Sequence, residues 1–473
     1  MMNAIVLLHR WLGVAFALLF AMWFATGMVM HFVAFPSPRE SERFAGLSPI
    51  GSVPVMGPAD AINASKIADA VRIRLIQRQD KLIYLVSGRS GVKAINATNG
   101  ADAAVASADL ARAEAEAYAR NRGIMVGSSL SVDLRDYDQW TVPNSFDRYR
   151  PLFRVTLGDS DGREVYVASN TGEIVLVTTR HERLWNYVGS VLHWIYPTVL
   201  RRDWALWDRV VWTVSLFSAM TATLGAVLGI ARLRVRRDRF GTPYRGWHAL
   251  HHLIGLAATT FVLTWIISGW LSMDHGRLFS RGQLTPAERV VSEPLLDGTA
   301  LSFTWPPLSP MVREVEWFSL AGREYRRDRV GLYRQILFRA GDAGRYDQSA
   351  FLNSEQVGDM TSRLTMECGA PSALPIDDAY ASAPTIVGAP VYRTICGDVW
   401  FDVDGAGGMV LQRLDTSRRA YRWVYTALHT LDFPILLRHP FARTILVLGL
   451  CSLGFLFSVT GVVIGWRRLR LSM

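Results

Sequence analysis

The chain carries ten histidines in 473 residues, and eight of them gather where uncharged stretches begin or end. They are His9, His31, His193, His248, His251, His252, His275 and His429. The stretch "GWHALHHLIGL", Gly246 to Leu256, holds three of these at the mouth of one such run. A lone imidazole near a membrane boundary can be satisfied by a lipid phosphate or a neighbouring carbonyl. Eight placed this way suggest ligation instead, since an ionisable group at membrane depth is costly without a role. Zinc would ask for several donors converging on one point, completed by carboxylate or thiolate. His248 and His252 have a four-residue spacing, but no acidic residue of the uncharged runs lies beside them. Haem iron asks only for two axial ligands on opposite faces of a flat ring, which imidazole supplies well.

The histidines also sort by depth. His9 and the trio His248, His251 and His252 fall at one side of the runs, while His31, His275, His193 and His429 fall at the other. From His9 to His31 is 22 residues, or about 33 Å of helix rise, close to the thickness of a bilayer core.

Four runs free of Asp, Glu, Lys and Arg would position them: Trp11 to Ser37, Val210 to Ala231, Gly246 to Met273 and Thr444 to Trp466. Each reaches the ~20 residues that cross hydrocarbon, and half of the chain is apolar. The fold class expected is a polytopic α-helical membrane protein with the lipid bilayer as its first partner. The first run is too long for the apolar core of a signal peptide and is read as a helix. The +10 net charge does not indicate nucleic acid, because its arginines cluster in "ARLRVRRDRFGTPYR" and "WRRLRLSM" beside the runs. By the positive-inside rule both termini and the middle loop are cytoplasmic. The two long polar segments then face the periplasm of a bacterium, where a disulfide between Cys368 and Cys396 would persist.

The chain reads as a parallel tandem repeat. "LHRWLG" from Leu8 aligns with "LHHLIG" from Leu250, "RLWNYVGSVLHWIYPTVLRR" with "RAYRWVYTALHTLDFPILLR", and "TLGAVLGIARLR" with "TGVVIGWRRLR". These matches set Gly27 against Gly269, Gly225 against Gly461 and Gly229 against Gly465. The expected divisions are transmembrane helices at 1–37, 207–232, 246–273 and 441–466, and amphipathic helices at 183–206 and 419–440. Periplasmic α+β domains occupy 38–182 and 274–418, with a cytoplasmic loop at 233–245 and a tail at 467–473. "PLFRVTLGDSDGREVYVASNTGEIVLV" and "VYRTICGDVWFDVDGAGGMVLQRLD" alternate like β-meanders, and "SADLARAEAEAYARN" has helical spacing. "DVDGAGG" lacks the downstream carboxylate of a calcium loop and predicts a tight turn.

A parallel repeat lets equivalent residues face each other across the pseudo-twofold axis. That pairs His9 with His251 on the cytoplasmic side, with His252 as rival about 100° round the helix, and His193 with His429 on the periplasmic side. His248 could bond a propionate, whereas His31 and His275 do not align and suit structural or substrate-facing roles equally. Glycines 13, 27, 255 and 269 would admit a flat ring, although helix packing also uses small residues.

"LHRWLGVAFALLFAMWFATGMVMHFVAFPSPRESERFAGL", "WHALHHLIGLAATTFVLTWIISGWLSM" and "LHTLDFPILL...VTGVVIGWRR" resemble the PepSY-associated transmembrane family, over nearly the whole chain. That family includes haem-containing ferric-siderophore reductases of the bacterial inner membrane. The resemblance implies four helices, periplasmic PepSY-like α+β domains, and haem b held by His9, His193, His251 or His252, and His429. The two symmetric pairs, and a barrier of ~30 Å that one haem would leave mostly uncovered, set the expected number at two. Its substrate would be a ferric siderophore or another ferric chelate. The long second periplasmic segment with its two cysteines departs from the shorter reductase pattern. No Gly-rich dinucleotide fingerprint occurs, so electrons would come from membrane quinol or a cytoplasmic flavoprotein. The arginines of "REYRRDRVGLYR" read either as attractors of an anionic chelate or as a solvated charge run. The alternative function is a non-catalytic PepSY membrane protein that binds or regulates a periplasmic partner.

Overall fold

A computed structural model describes residues 2–236, 239–296, 298, 301, 303–341, 345–364, 367–375 and 377–472. The chain divides into a helical unit (Met1–Phe35, Glu182–Arg281, Ser417–Met473) and an α+β unit (Pro36–His181, Gly282–Thr416).

The helical unit is built on four helices long and apolar enough to cross a membrane: Met2–Phe32, Trp204–Ala231, Gly246–Ser272 and Pro440–Ser472. The first runs nine residues further back than its uncharged stretch and stops at Phe32, ahead of Pro36 and Pro38, which cannot continue a helix. The Asp203 carboxylate accepts from the Leu206 amide and so caps the second. The first helix packs on the second and fourth, and the third packs on the same two. Phe20, Phe24, Val262, Trp265, Val447 and Cys451 fill the centre.

The segments before the second and fourth spans differ from the single amphipathic helices expected. One is helical from Arg180 to His193, interrupted by a π-turn at Tyr187–Val191, and it ends at Ile195 in the left-handed region (φ 50°). The other is helical from Thr416 to Thr430, with a π-turn at Arg422–Ala427, and ends at left-handed Leu431 (φ 51°). Pro197 and Pro434 then open separate short helices, Thr198–Arg201 and Pro434–Leu437, because proline has no N–H to offer the preceding turn.

In chain order the strands are β1 (Ala70–Arg78), β2 (Lys81–Gly88), β3 (Val92–Asn96), β4 (Ser131–Arg135), β5 (Leu152–Thr156), β6 (Glu164–Ala168) and β7 (Ile174–Thr178). A hairpin of β8 (Arg234–Arg236) and β9 (Arg239–Gly241) occupies the middle loop. The second polar segment gives β10 (Glu314–Leu320), β11 (Arg323–Gly331), β12 (Arg334–Ala340), β13 (Tyr346–Ser349), β14 (Ser372–Ala373), β15 (Val391–Cys396), β16 (Val399–Asp404) and β17 (Val410–Leu414). Both predicted meanders are present, within sheets ordered β4-β5-β6-β7 and β14-β15-β16-β17. The predicted helix is Ala108–Asn121, capped by the Ser107 hydroxyl. "DVDGAGG" makes the turn between β16 and β17.

Where the sequence suggests one small domain per polar segment, the strands of both join in a single seven-stranded sheet, β13-β12-β11-β10-β1-β2-β3. β1 and β10 pair antiparallel, with Ile73 opposite Trp317 and Leu75 opposite Val315, and these four side chains share one core. The pairing removes two edges that each segment alone would leave open.

The other face of this sheet is charged and buried. Arg74 and Arg327 lie in register with Glu316, and Arg329 with Glu314. Glu314, 1% exposed, receives Arg43 at 2.7 Å, Arg329 at 3.0 Å and Arg74 at 3.4 Å. Burial alone would raise its carboxyl, but the three guanidinium charges prevail and hold it well below the usual carboxylate range. Arg327 pairs with Glu316 at 2.5 Å on this face, whereas Arg326 and Asp328, 2.5 Å apart, lie on the core face in register with Trp317 and Val315. The arginine run of "REYRRDRVGLYR" is therefore neither a chelate attractor nor a solvated face at Arg326, Arg327 and Arg329, which are buried and ion-paired. Cys368 and Cys396 are joined by a disulfide at the end of β15.

Candidate paired-histidine sites

A cavity of about 680 Å³ opens between the N-terminal halves of the first and third spans and the C-terminal halves of the second and fourth. His9, His248, His251 and His252 all line it, and Arg10, Arg245, Arg467 and Arg468 lie along it too. Its volume is in the range of pockets that enclose a whole cofactor. A Cβ on Gly13 would meet nothing within 4 Å, so that side of the first span is open to the cavity. A Cβ on Gly255 would stand 2.8 Å from Phe457, whose ring stacks on His251 at 4.7 Å between centroids. Gly255 thus makes room for a side chain of the protein.

His9 donates from Nδ1 to the Thr221 carbonyl at 3.2 Å. His251 bonds through Nδ1 to Thr460 Oγ1 at 2.8 Å, and that hydroxyl spends its own proton on the Phe457 carbonyl. The imidazole is therefore the donor. In both rings the proton sits on Nδ1 and the Nε2 lone pair is left for another use, as in metal-ligating histidines, whose second nitrogen donates to the protein. His252 is turned the other way: Nε2 donates to the Gly229 carbonyl at 2.9 Å, and Nδ1 is buried without a hydrogen-bond partner.

At the opposite end of the bundle, His193 and His429 face each other with ring centroids 6.3 Å apart and planes at 67°. Their Nδ1 atoms follow the same rule. Thr26 Oγ1 accepts from His193 at 2.9 Å while donating to the Met22 carbonyl, and His429 donates to the Trp265 carbonyl at 3.0 Å. The two rings make an edge-to-face contact, with a separation in the ordinary range of such pairs. The left-handed Ile195 and Leu431 lie two residues past these histidines, and each π-turn ends two residues before them.

Every member of the two pairs lies over a glycine of a neighbouring span. A Cβ on Gly225 would stand 2.7 Å from His9 Cε1, and on Gly269 2.9 Å from His429 Cε1. The corresponding distances are 3.8 Å from Gly27 to His193 Cε1 and 3.6 Å from Gly461 to His251 Cε1. His193 and His429 face each other, and His9 shares one cavity with His248, His251 and His252.

The remaining histidines do other things. His31 bonds Thr444 Oγ1 through Nε2 at 2.9 Å, and His275 donates from Nδ1 to the Asp208 carboxylate at 2.6 Å. Asp208 escaped the sequence reading because it lies just before the uncharged run. The second helix begins earlier, at Trp204, and carries it inside. Thr26, Thr460 and Ser268 were also missed, since a hydroxyl in a span shows no pattern until its partner is known. Among the described residues no three His, Cys, Asp or Glu side chains converge on an ion-sized site.

Four apolar spans joined to an α+β unit make this a multi-pass membrane protein. Residues 6–468 match the PepSY-associated TM region, and the chain belongs to that family. No curated protein matches it.

Proposed function

We propose that the chain is a di-haem b electron-transfer protein of a bacterial inner membrane that reduces a periplasmic ferric chelate, such as a ferric siderophore. The observation that carries this reading is the shared setting of four imidazoles. His9 with His251, and His193 with His429, each keep Nε2 uncommitted while a carbonyl or hydroxyl takes Nδ1. A haem b at each place would supply one-electron exchange between ferric and ferrous iron. The cavity walls would hold the inner ring, and the cationic side chains along it suit its acidic edge. The glycine beneath each imidazole, and the recurrence of π-turn, histidine and left-handed residue, support the tandem parallel repeat that this arrangement requires.

The two pairs are far enough apart to serve opposite leaflets. From His9 to Gly27, against which His193 rests, is 18 residues of one helix, or about 27 Å, against a hydrocarbon core of ~30 Å. Arginines of the middle loop and the C-terminal tail favour cytoplasmic termini, with the α+β unit in the periplasm. An Fe(II) ion is held by hard oxygen donors far less tightly than Fe(III), so a single electron releases the metal without a protein acid or base. Membrane quinol or a cytoplasmic flavoprotein would supply that electron.

The test is a reduced-minus-oxidised visible spectrum of the purified protein beside His9→Ala, His251→Ala, His252→Ala, His193→Ala and His429→Ala. The wild type should show two b-type haems, and each paired-histidine variant should lose one. His252→Ala should retain both. A colourless wild type would favour a non-catalytic role, and loss of haem in His252→Ala but not in His251→Ala would overturn the assignment of the inner ligand.

A further inference from the structure

The second and third spans carry a polar site that neither histidine pair uses. Asp208, on the second turn of the second span, is 5% exposed. Its Oδ2 takes the Nδ1 proton of His275 at 2.6 Å, but its Oδ1 is buried with no hydrogen-bond partner. The Nε1–H of Trp270 on the third span is likewise buried and unpartnered. Between them stands Trp212, whose ring lies 4.8 Å from that of His275 and 5.9 Å from that of Trp270.

An orphaned acceptor and an orphaned donor beside two indoles in contact are costly in a dry interior, at about 1–3 kcal/mol for each unmade bond. The cost is recovered if a ligand offers a flat apolar ring with an oxygen that both donates and accepts. His275 bears on this as well. Its Nδ1 is engaged by the carboxylate, its Nε2 is not, and the side chain is more than one-third exposed. The two indoles are only partly buried within the bundle, so the site lies open to lipid.

We propose that Asp208, His275, Trp212 and Trp270 bind the head group of a membrane quinol. Asp208 Oδ1 accepts from a ring hydroxyl, Trp270 Nε1 donates to a ring oxygen, and Trp212 stacks on the ring. As the electron source of the protein this rests on the di-haem reading, but as a binding site it stands apart from it. The occupant is recognised by its chemistry: a small, lipid-soluble ring carrying hydroxyls. A bound water would satisfy the two orphans as well, and then no label falls at Trp212 or Trp270.

The experiment is photolabelling of the full-length protein in lipid nanodiscs with a diazirine-substituted quinol kept reduced under anaerobic conditions, the adducts being mapped by mass spectrometry. Label should fall on peptides containing Trp212 or Trp270, and should drop at least several-fold in Asp208→Asn and in His275→Gln, each checked for a monodisperse nanodisc peak. His275→Gln guards against misfolding, because its side chain is partly solvent-facing. Equal labelling of the variants, or label confined to the cavity beside His251, would overturn the site. Labelling requires no haem, so a colourless protein that labels at Trp212 sinks the di-haem reading alone. A haem-containing protein that does not label there sinks this site alone.

Discussion

Each paired imidazole is held by its own helix, by a bond at Nδ1 and by a glycine under Cε1, and the glycines offer a graded test. Gly225→Ala would set a methyl 2.7 Å from His9 Cε1, inside any tolerable contact, whereas Gly461→Ala would set one at 3.6 Å from His251, an ordinary contact. The same contrast holds at the other pair, 2.9 Å for Gly269→Ala and 3.8 Å for Gly27→Ala. Alanine is favoured over glycine inside a helix by about 1 kcal/mol, so lost haem cannot be ascribed to a weaker span. Gly225→Ala and Gly269→Ala should each lose one haem by extracted-haem assay, with Gly461→Ala and Gly27→Ala keeping both. Equal losses in all four would show that the rings do not rest where the glycines place them. At this scale the sequence goes far, because the repeat itself pairs His9 with His251 and His193 with His429. It leaves His252 as the rival of His251. Neighbours on a helix differ by about 100°, and the choice turns on partner atoms, Thr460 Oγ1 for one and the Gly229 carbonyl for the other.

The spans are legible in the sequence because an uncharged run is long enough to carry its own meaning. The meanders are legible because their alternation is local. The joining of β1 to β10 is not, since the partners are more than 200 residues apart and an alternating strand matches many edges equally well. Once joined, the strands bring Arg74, Glu314, Glu316, Arg327 and Arg329 onto one covered face, and the stability of the unit becomes sensitive to acid. The folded-state carboxyl of Glu314 is depressed, so its contribution is fully present above the ordinary glutamate value and is lost as pH falls through the lower, folded value. The α+β unit should therefore lose stability progressively below about pH 4. Glu314→Gln should flatten that acid limb. At neutral pH it should also destabilise the unit by about 3–5 kcal/mol, because Arg43, Arg74 and Arg329 would be left around an uncharged partner. Thermal unfolding followed across pH checks both. An unchanged acid limb in Glu314→Gln would place the sensitivity elsewhere.

The whole molecule is interlocked twice over. The first half supplies His9, His193 and β1, and the second supplies His251, His429 and β10, so each histidine pair and the central sheet need one part from each half. The middle loop between them is short, and its only described regular structure is the hairpin of β8 and β9. Opening the chain between Arg237 and Asp238 should therefore spare every element that builds the sites, while making their assembly bimolecular. Expressed together, the two halves should copurify through a tag on one of them, and should carry both haems. Expressed alone, each would present an open strand edge, β1 or β10, and one histidine of each pair, and should yield little protein and no bis-imidazole spectrum. Low-temperature electron paramagnetic resonance of the oxidised halves distinguishes bis-imidazole iron from iron with a single protein ligand. A first half that alone showed the bis-imidazole signal would mean that His9 and His193 find partners within their own half, which would undo the cross-half pairing and the pseudo-twofold arrangement with it.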